Sequence, residues 1–288
     1  MKISVVIPNY NGAGLLQKNL PKVLNNNADE IIVVDDFSSD NSKQVIQSFP
    51  SIKLIQNKKN LGFVKSVNKG VERAKGDIIV LLNNDVESSR DFLKPVLPYF
   101  KNDKVFAVSF AEPQFSWAKA TFADGFIVHN PGPRQNKPHV SFWASGGSAA
   151  FSRKKWQKLG GMDEIYHPFY WEDIDLSYRA QKLGWEIWWE PASIVYHAHG
   201  GTIEKYFSKN YVGYISARNR LIFIWKNVTD KKMFTEHKNA LLKQLLAGKM
   251  WKPFFGAFFK LPEILEKRKR EKFESKVSDA EIFEKFTD

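Results

Sequence analysis

Cysteine is absent from this chain of 288 residues. Its absence excludes a disulfide framework, a thiolate metal site and a thiol nucleophile, so any metal would need oxygen or imidazole ligands. Hydrophobic residues make up 43% of the chain, which is enough to build one large core, or one core with an appendage.

Long apolar runs are also missing. No window approaches the roughly 18 apolar residues that a transmembrane helix needs. The first residues, MKISVVIPNYNG, hold one basic residue and a short apolar run that is typical of a strand and not of a signal peptide. We therefore expect a cytoplasmic protein, and a peripheral contact with the cytoplasmic face of the membrane stays open.

The common nucleotide-binding loops are missing as well. Gly12 and Gly14 lack the third glycine of a dinucleotide fingerprint and the following Lys-Ser/Thr of a P-loop. No GxSxG nucleophile elbow occurs. A sugar-phosphate nucleotidyltransferase would need a glycine-rich basic loop directly after the first strand, but the segment PNYNGAGLL contains no lysine or arginine.

Positive charge is in excess and unevenly distributed. The net charge is +12, and residues 204–288 hold 19 Lys/Arg against 11 Asp/Glu. A basic, aromatic-rich tail suits an anionic partner such as nucleic acid, acidic lipid or a phosphate-bearing substrate. The alternative is a solvated basic face without a dedicated partner. The aromatic residues lie mostly in apolar runs, which argues against nucleic acid.

Strands and helices alternate through the first hundred residues. Apolar runs at 2–10, 30–36, 52–57 and 77–85 predict four strands, separated by segments with helical spacing. This alternation predicts an α/β fold with a parallel sheet covered on both faces, and ligands bind such sheets beyond the carboxyl ends of the strands. Three of the four predicted strands end in polar residues: Asn9, Asp35, Asp36, Asn83, Asn84 and Asp85.

The second half of the chain is less regular. Residues 105–150 are rich in glycine, proline and aromatics and predict irregular structure. A helix is predicted from Trp171 to Gly184, followed by two strands, WEIWWEP and SIVYHAHGG. From Glu204 onwards the sequence predicts helices rich in phenylalanine, tryptophan and lysine.

Acidic residues and histidines suggest two kinds of chemistry. Carboxylates with an imidazole and no thiolate suit Mg²⁺ or Mn²⁺, which takes the rest of its shell from substrate phosphates. Asp85 with one histidine would then be sufficient. Glu172, Asp173 and Asp175 occupy the first turn of the predicted helix, where two interpretations stay open. They reflect either the preference of acids for helix starts or a general base.

Six sequence motifs follow one another along about the first 200 residues. They are VVIPNYNG, EIIVVDDFSSDNS, NLGF with GDIIVLLNNDV, GGSAAFSRK with GGMDE, WEDIDLSYRA, and VYHAHGG. Together they resemble the family 2 inverting glycosyltransferases, in particular members that build bacterial surface polysaccharides and are rhamnosyltransferase-like. The resemblance covers about residues 1–220 and implies a GT-A fold, a Rossmann-like, mostly parallel central sheet flanked by helices, with a C-terminal helical extension.

The resemblance also implies roles for single residues. Asp85 matches the last acid of the family's DXD motif and would bind a divalent cation, Mg²⁺ or Mn²⁺, together with His197. His199 is the less favoured alternative to His197, and Asp173 matches the catalytic base. Nucleotide contacts are implied for Pro8, Asn9, Tyr10, Asp35, Asp36, Asn83 and Asn84. Sugar or acceptor contacts are implied for Gly146, Gly147, Ser148, Trp171 and Glu172, with the Trp171 ring stacking on a sugar.

These roles imply transfer of a sugar from a nucleotide-diphosphate donor, UDP- or dTDP-linked, to a hydroxyl of a glycan or polyprenyl-linked acceptor. The expected organisation is a glycosyltransferase domain over 1–203, with a nucleotide half to about residue 100 and an acceptor half beyond it. Residues 204–288 would form a basic helical extension. It either contacts the inner leaflet of the membrane or packs on the core or on a second copy. A catalytically silent carbohydrate- or partner-binding module is the rival from another functional class.

Overall fold

The computed structural model describes residues 1–197 and 205–286. The alternation predicted for the first hundred residues is present, and the four strands pair in parallel in the order β3-β2-β1-β4. Isoleucine, valine and leucine fill β4 and are buried at every position, as a sheet covered on both faces requires. The elements are β1 (Ile3–Asn9), α1 (Ala13–Leu24), β2 (Glu30–Asp35), α2 (Ser42–Gln47), β3 (Ile52–Gln56), α3 (Phe63–Arg73) and β4 (Ile78–Leu82).

The sheet continues beyond β4 with strands from the second half of the chain. Its order is β3-β2-β1-β4-β10-β6-β11-β5, and β9 pairs with β11. The pairings give β6 and β11 the direction of the first four strands, while β5, β9 and β10 run the opposite way. The added strands are β5 (Val86–Ser88), β6 (Val105–Ala111), β9 (His139–Val140), β10 (Ser148–Ser152) and β11 (Glu186–His197).

Two features of this region differ from the sequence-based prediction. The segments predicted as two strands form the single strand β11, whose register shifts between Glu190 and Ile194, around Pro191. Proline lacks an amide hydrogen, so an irregularity is expected there. Residues 105–150, predicted as irregular, instead contain β6, β9, a complete hairpin and the start of β10. The hairpin consists of β7 (Ala118–Ala123) and β8 (Phe126–Pro131).

Helices cover the sheet and extend from it at the carboxyl-terminal end. Apolar residues of the hairpin, of α5 and of all five carboxyl-terminal helices share one buried cluster, which includes Tyr178, Phe223 and Ile282. Among the described residues, no helix has both the length and the apolarity that crossing a bilayer requires. The helices are α4 (Arg153–Leu159), α5 (Glu172–Lys182), α6 (Lys209–Asn227), α7 (Lys231–Leu246), α8 (Trp251–Phe258), α9 (Leu261–Glu274) and α10 (Asp279–Glu284).

Candidate active site

A series of hydrogen bonds joins the polar ends of β1, β2 and β4. Asn84 donates through Nδ2 to Asn9 Oδ1 (2.7 Å), and Asn9 donates through Nδ2 to Asp35 Oδ1 (3.0 Å). Asp35 also accepts from the Ser38 hydroxyl, and the three linked side chains are buried. Because buried amides and carboxylates need such partners, these residues hold the strand ends together. Their predicted contacts with a nucleotide stay predictions.

Asp36 organises the loop that follows β3. Its Oδ1 accepts hydrogen bonds from Asn57 Nδ2 and the Leu61 amide, and its Oδ2 accepts from the Gly62 amide, each at 2.8 Å. Gly62 lies at φ +84°, a conformation that favours glycine. The Asp36 carboxylate therefore fixes the conformation of the loop that lies beside the end of β2. The predicted bond from Asp36 to a nucleotide base would have to use a remaining lone pair.

Pro8 and Tyr10 lie at the same edge and are partly accessible. Both are half-buried, and the Tyr10 ring lies 5.9 Å from the ring of Tyr206, centroid to centroid. Tyr206 is exposed and was not singled out from the sequence, because nothing in its local pattern links it to the first strand. The two rings provide an aromatic surface beside the strand ends, where a planar base could stack.

Asp85 and His197, the two predicted metal ligands, lie side by side. β5 and the end of β11 pair antiparallel, with His197 opposite Val86. This pairing brings His197 Nε2 to 3.0 Å from Asp85 Oδ1. His199 lies outside the described residues. The assignment of a metal to this pair stays a prediction, but the proximity on which it depends is present.

Glu112 completes this cluster and was missed from the sequence. Its Oε1 lies 3.5 Å from His197 Nδ1 and accepts a hydrogen bond from the Ser148 hydroxyl at 3.0 Å. The available signal was its position: Glu112 directly follows the buried run VFAVSFA of β6, much as Asp85 follows β4. A strand end that delivers an acid to the ligand edge is the same pattern in both places.

The cluster has an unusual protonation state and suits a divalent cation in its donor chemistry. Burial alone would lower the pKa of His197, but the Asp85 and Glu112 carboxylates raise that pKa to about 10. A cation binding here would take the place of the imidazolium proton. Two carboxylates and one imidazole are ligands that Mg²⁺ and Mn²⁺ accept. Within residues 1–197 and 205–286, however, no three such side chains are arranged as a preformed metal site.

A pair of glycines separates the end of β4 from the start of α5. A Cβ at Gly146 would lie 3.3 Å from Asp173 Cβ, and a Cβ at Gly147 would clash with the Asn83 side chain. The Gly146 amide also donates to Asp173 Oδ2 at 3.1 Å. Because glycine has no side chain, it allows the backbone of this loop to lie this close to Asp173 and Asn83. The predicted base Asp173 and Asn83, the first residue of the segment Asn83-Asn84-Asp85, therefore lie on either side of one short loop.

The two acids that begin α5 differ in their partners. Burial raises the pKa of Asp173, although the amides of Gly146 and Ile174 donate to its carboxylate and oppose that change. Glu172 is 7% exposed, and its Oε2 has no hydrogen-bond partner among the described residues. Burial, and then the neighbouring Asp173 charge, raises the pKa of Glu172 to about 8. Glu172 therefore holds a proton at neutral pH, while Asp173 is the better candidate base.

The sugar-stacking role predicted for Trp171 is wrong for this structure. The Trp171 ring is only 4% exposed and packs 5.3 Å from the ring of Phe223 and 5.6 Å from that of His129. A side chain with so little free surface cannot present a face to a sugar. Trp171 instead ends the loop before α5 in a left-handed conformation, at φ +79°.

Asp175, the third acid of the motif, faces the core and anchors α5. Its carboxylate accepts from Arg179 Nε at 2.7 Å, from Lys226 Nζ at 2.8 Å and from Asn227 Nδ2 at 2.7 Å. Lys226 also lies 2.6 Å from Asp163. These cations lower the pKa of Asp175 despite the opposing effect of burial. The end of α6, which supplies Lys226 and Asn227, is far from α5 in sequence, so sequence spacing could not reveal the network.

A cavity of about 350 Å³ opens beside the acidic cluster. It lies between β6 and the hairpin, and Glu112, Ser148 and His197 form one end of it. Burial and the nearby Arg220 lower the pKa of His129, another wall residue, so its ring is neutral at pH 7. The wall combines rings with hydroxyl and amide groups, notably Phe115, His129, Asn130, Trp143, Ser141 and Ser145.

Comparison with known proteins shows where this arrangement belongs. Residues 4–160, more than half of the chain, match the sequence profile of Glycosyl transferase family 2. The chain belongs to this family. The resemblance identified from the six motifs is therefore confirmed at the level of the family, while its narrower bacterial subgroup stays a prediction.

Similar proteins within the family act on different sugars. N-acetylgalactosaminyltransferase 7 of Drosophila melanogaster is 26% identical over 272 residues, which cover 81% of this chain and 46% of that protein. The chain thus spans about half the length of this curated relative. The crystal structure of GalNAc-T7 with UDP, GalNAc and Mn²⁺ has a TM-score of 0.68, is 17% identical, and covers 84% of this chain and 54% of that one.

A second structure covers almost the entire chain. It is a mannosyltransferase from Pyrobaculum calidifontis in complex with GDP-Man and Mn²⁺. Its TM-score is 0.58 at 17% identity, over 99% of this chain and 85% of that one. Structural similarity at such low identity shows the fold alone. It confirms the predicted GT-A α/β fold with carboxyl-terminal helices against the sheet.

Proposed function

We propose that this chain is an inverting glycosyltransferase that moves a sugar from a nucleotide-diphosphate donor to a hydroxyl of a glycan or lipid-linked acceptor. The observation that carries the proposal is the glycine pair between Asp173 and Asn83. It brings a carboxylate at the start of α5 close to the polar end of β4. A single displacement requires its base and its leaving-group site to be this near each other.

The donor would lie across the ends of β1, β2 and β4. Pro8, Tyr10 and the loop held by Asp36 would contact the nucleotide, and Asn83 would contact the diphosphate or the sugar. UDP and dTDP derivatives are the donors expected from the sequence. The UDP in the GalNAc-T7 complex supports the first of these, whereas GDP-Man in the mannosyltransferase keeps GDP as a comparison for any test.

Asp85 and His197 would hold a divalent cation, with Glu112 close enough to share it. A bound Mg²⁺ or Mn²⁺ would stabilise negative charge on the departing diphosphate. The presence of Mn²⁺ in both similar structures supports this part of the proposal. Asn83 in the first DXD position contributes an amide where an acid would contribute charge, so the electrostatic attraction would come from the carboxylates of Asp85 and Glu112.

Asp173 would act as the general base. It takes the proton of the acceptor hydroxyl while the hydroxyl oxygen forms its bond to the anomeric carbon. The bond from that carbon to the diphosphate oxygen breaks on the opposite face, so the anomeric configuration inverts. The raised pKa of Asp173, caused by burial, brings its basicity closer to what proton abstraction needs.

The cavity beside Glu112 would receive the acceptor. Carbohydrate sites combine an aromatic face with hydrogen-bonding groups, and Trp143 with the surrounding serines supplies this combination. Because His129 is neutral, the charged side chains named in this wall are confined to the end formed by Glu112 and His197, and the rest of the wall suits a saccharide. An acceptor saccharide linked to a polyprenyl lipid, as in cell-surface polysaccharide synthesis, would fit the family resemblance.

Calorimetric titration with UDP, dTDP and GDP, each with and without Mn²⁺, tests the donor site directly. We expect binding of one nucleotide that Mn²⁺ strengthens about tenfold or more. Binding without an effect of Mn²⁺ would remove Asp85 and His197 from their proposed role. The anomeric configuration of a transferred sugar, read by NMR, then tests inversion. Nucleotide binding without any transfer to a glycan panel would favour the silent binding module.

A further inference from the structure

The carboxyl-terminal helices expose an unusually large apolar surface. It runs from the end of α7 through α8 to the start of α9, and we call it the aromatic patch. Phe259 and Leu246 are each 79% exposed, and three further rings are each 46% exposed. Soluble monomers rarely leave so many large apolar side chains together in water. The patch consists of Leu242, Leu246, Trp251, Phe255, Phe258, Phe259 and Leu265.

The packing of α8 explains why these rings point outward. Ala257 is the only buried residue of the helix. A Cβ at Gly256 would lie 2.5 Å from the Tyr214 hydroxyl, so a narrow small-residue face of α8 rests on α6. Lys252 Nζ lies 5.0 Å from the centre of the Tyr214 ring. The helix is therefore fixed by one face, to which Phe254 contributes by packing against Trp225, and its exposed aromatic residues Trp251, Phe255 and Phe258 lie away from that face.

Charge around the aromatic patch is mainly positive. Residues 238–262 contain no aspartate or glutamate, and Glu263 and Glu266 flank Leu265 at the α9 end of the patch. The basic residues of 238–262 are Lys238, Lys243, Lys249, Lys252 and Lys260. Exposed aromatic residues bordered mainly by lysines are typical of helices that lie in a membrane interface.

The patch extends toward the candidate nucleotide edge. Tyr211, near the start of α6, lies 6.2 Å from Tyr214 and stacks 5.5 Å from Phe207, measured between ring centres. Tyr206 follows, 5.9 Å from Tyr10. Tyr206, Phe207 and Tyr211 are all exposed. A row of aromatic side chains therefore runs from Tyr214, where α6 packs on α8, to the edge where β1 ends.

We propose that the aromatic patch docks on an anionic lipid surface. Its rings and leucines would enter the boundary between headgroups and acyl chains, and its lysines would contact the acidic headgroups. A second copy of the chain is a poorer partner. Two-fold pairing of this face would bring the five lysines of each copy together, with only Glu263 and Glu266 at the α9 end to offset the repulsion. The row of aromatic residues then places the nucleotide edge beside the lipid surface.

Co-sedimentation with sucrose-loaded vesicles tests this docking without requiring turnover. The probes are vesicles of phosphatidylcholine alone and of phosphatidylcholine with 30% phosphatidylglycerol. The wild-type chain binds the anionic vesicles more tightly, by about fivefold for each lysine that contacts the surface. Replacing Phe255, Phe258 and Phe259 by serine lowers binding to the anionic vesicles about 100-fold.

Two control variants match these changes elsewhere on the surface. Phe273→Ser removes the most exposed phenylalanine, 91% exposed at the far end of α9, and is compared with Phe259→Ser. The charge of the patch is tested by replacing Lys249, Lys252 and Lys260 by glutamine. Its control replaces Lys43, Lys101 and Lys104 by glutamine, which removes the same charge from another part of the surface. Binding of the best nucleotide from the calorimetric panel, or an unchanged circular dichroism spectrum, shows that each variant is folded.

Three results would overturn the proposal. One is a wild-type chain that stays in solution with both kinds of vesicle. Another is equal loss of binding in the patch variants and in their controls. Vesicle binding would then depend on the overall charge or hydrophobicity of the chain and not on the patch. The third is a wild-type dimer in analytical ultracentrifugation that the triple phenylalanine variant converts to monomer, which would assign the patch to a second copy. None of these results depends on glycosyl transfer, so failure of the proposed function would be recognised separately.

Discussion

The two sides of the candidate active site are held in place by different forces. On the nucleotide side, amide and carboxylate side chains at neighbouring strand ends bond each other, as Asn84 does with Asn9 at 2.7 Å. On the α5 side, the helix is held by buried charges from remote parts of the chain, such as Lys226 of α6 at 2.8 Å from Asp175. The first arrangement belongs to the sheet, and the second depends on the carboxyl-terminal helices.

This difference shows which segment controls which step. The donor site would keep its shape as long as β1, β2 and β4 pair. The proposed base Asp173, in contrast, is positioned by a helix that residues 205–286 anchor through Lys226, Asn227 and Asp279. The boundary predicted near residue 203 therefore separates chain segments that share one hydrophobic core.

The largest expected effect is on catalysis. Asp173→Asn removes the proposed base, so transfer falls by about a thousandfold, while the donor nucleotide binds as before. Transfer rate and calorimetric nucleotide affinity measure the two properties separately. Asp103→Asn, an exposed change of the same kind, serves as the control. A variant at Asp173 that turns over at the wild-type rate would assign the base elsewhere.

The next effect distinguishes the two kinds of support. Lys226→Met leaves Asp175 and Asp163 as buried charges without their main partner, and the free energy of unfolding falls by about 3–5 kcal/mol. Lys22→Met on the nucleotide side removes a surface pair with Glu87 and costs less than about 1 kcal/mol. Urea unfolding followed by circular dichroism measures both. Similar losses in the two variants would contradict the comparison.

A third effect concerns pH and the buried Glu172. Because its pKa is raised from 4.5 to about 8, the folded chain keeps a proton that the unfolded chain loses. The free energy of unfolding therefore decreases as pH rises from about 4.5 to about 8, by up to about 4 kcal/mol. Glu172→Gln flattens this dependence, whereas Glu72→Gln at an exposed position does not. Urea titrations at several pH values would show both slopes, and parallel slopes for wild type and Glu172→Gln would refute the assignment.

The smallest effect tests the loop shared by the two sides. Gly147→Ala forces the Asn83 side chain to move, so transfer falls about tenfold while the fold is kept. Gly14→Ala is the matched control, because an added Cβ there meets nothing within 4 Å. It lies inside α1, where alanine stabilises the helix by about 0.5–1 kcal/mol. If Gly147→Ala kept full activity, close packing against Asn83 would not matter for transfer.

Regular parts of the fold were readable from the sequence because their signals are local. Runs of branched apolar residues predicted β1 to β4, and the helical spacing of the segments between these runs predicted the helices. The hairpin and β6 were missed as regular structure because Gly-, Pro- and aromatic-rich sequence also occurs in loops. β11 was divided in two because Pro191 interrupts its pattern.

A site residue was predictable from the sequence only where both its residue type and its position in a motif indicated the same role. Asp85 and His197 were paired through the family resemblance, and strand pairing places them 3.0 Å apart. Glu112 was overlooked because one acid after an apolar strand is common. Trp171 was assigned to sugar stacking because exposure cannot be read from residue type, and its burial depends on Phe223 of α6.

The sequence by itself determined the alternating α/β order, the family and the set of acids available for chemistry, because these depend on composition, period and residue order. The tertiary structure decided which acid faces which environment. Glu172, Asp173 and Asp175 lie within four residues. Glu172 is buried and its Oε2 has no partner in the part of the chain that the structure describes, Asp173 accepts from the Gly146 amide, and Asp175 pairs with Lys226. Successive positions in the first turn of α5 point their side chains in different directions. Contacts with distant segments of the chain then set the charge of each acid.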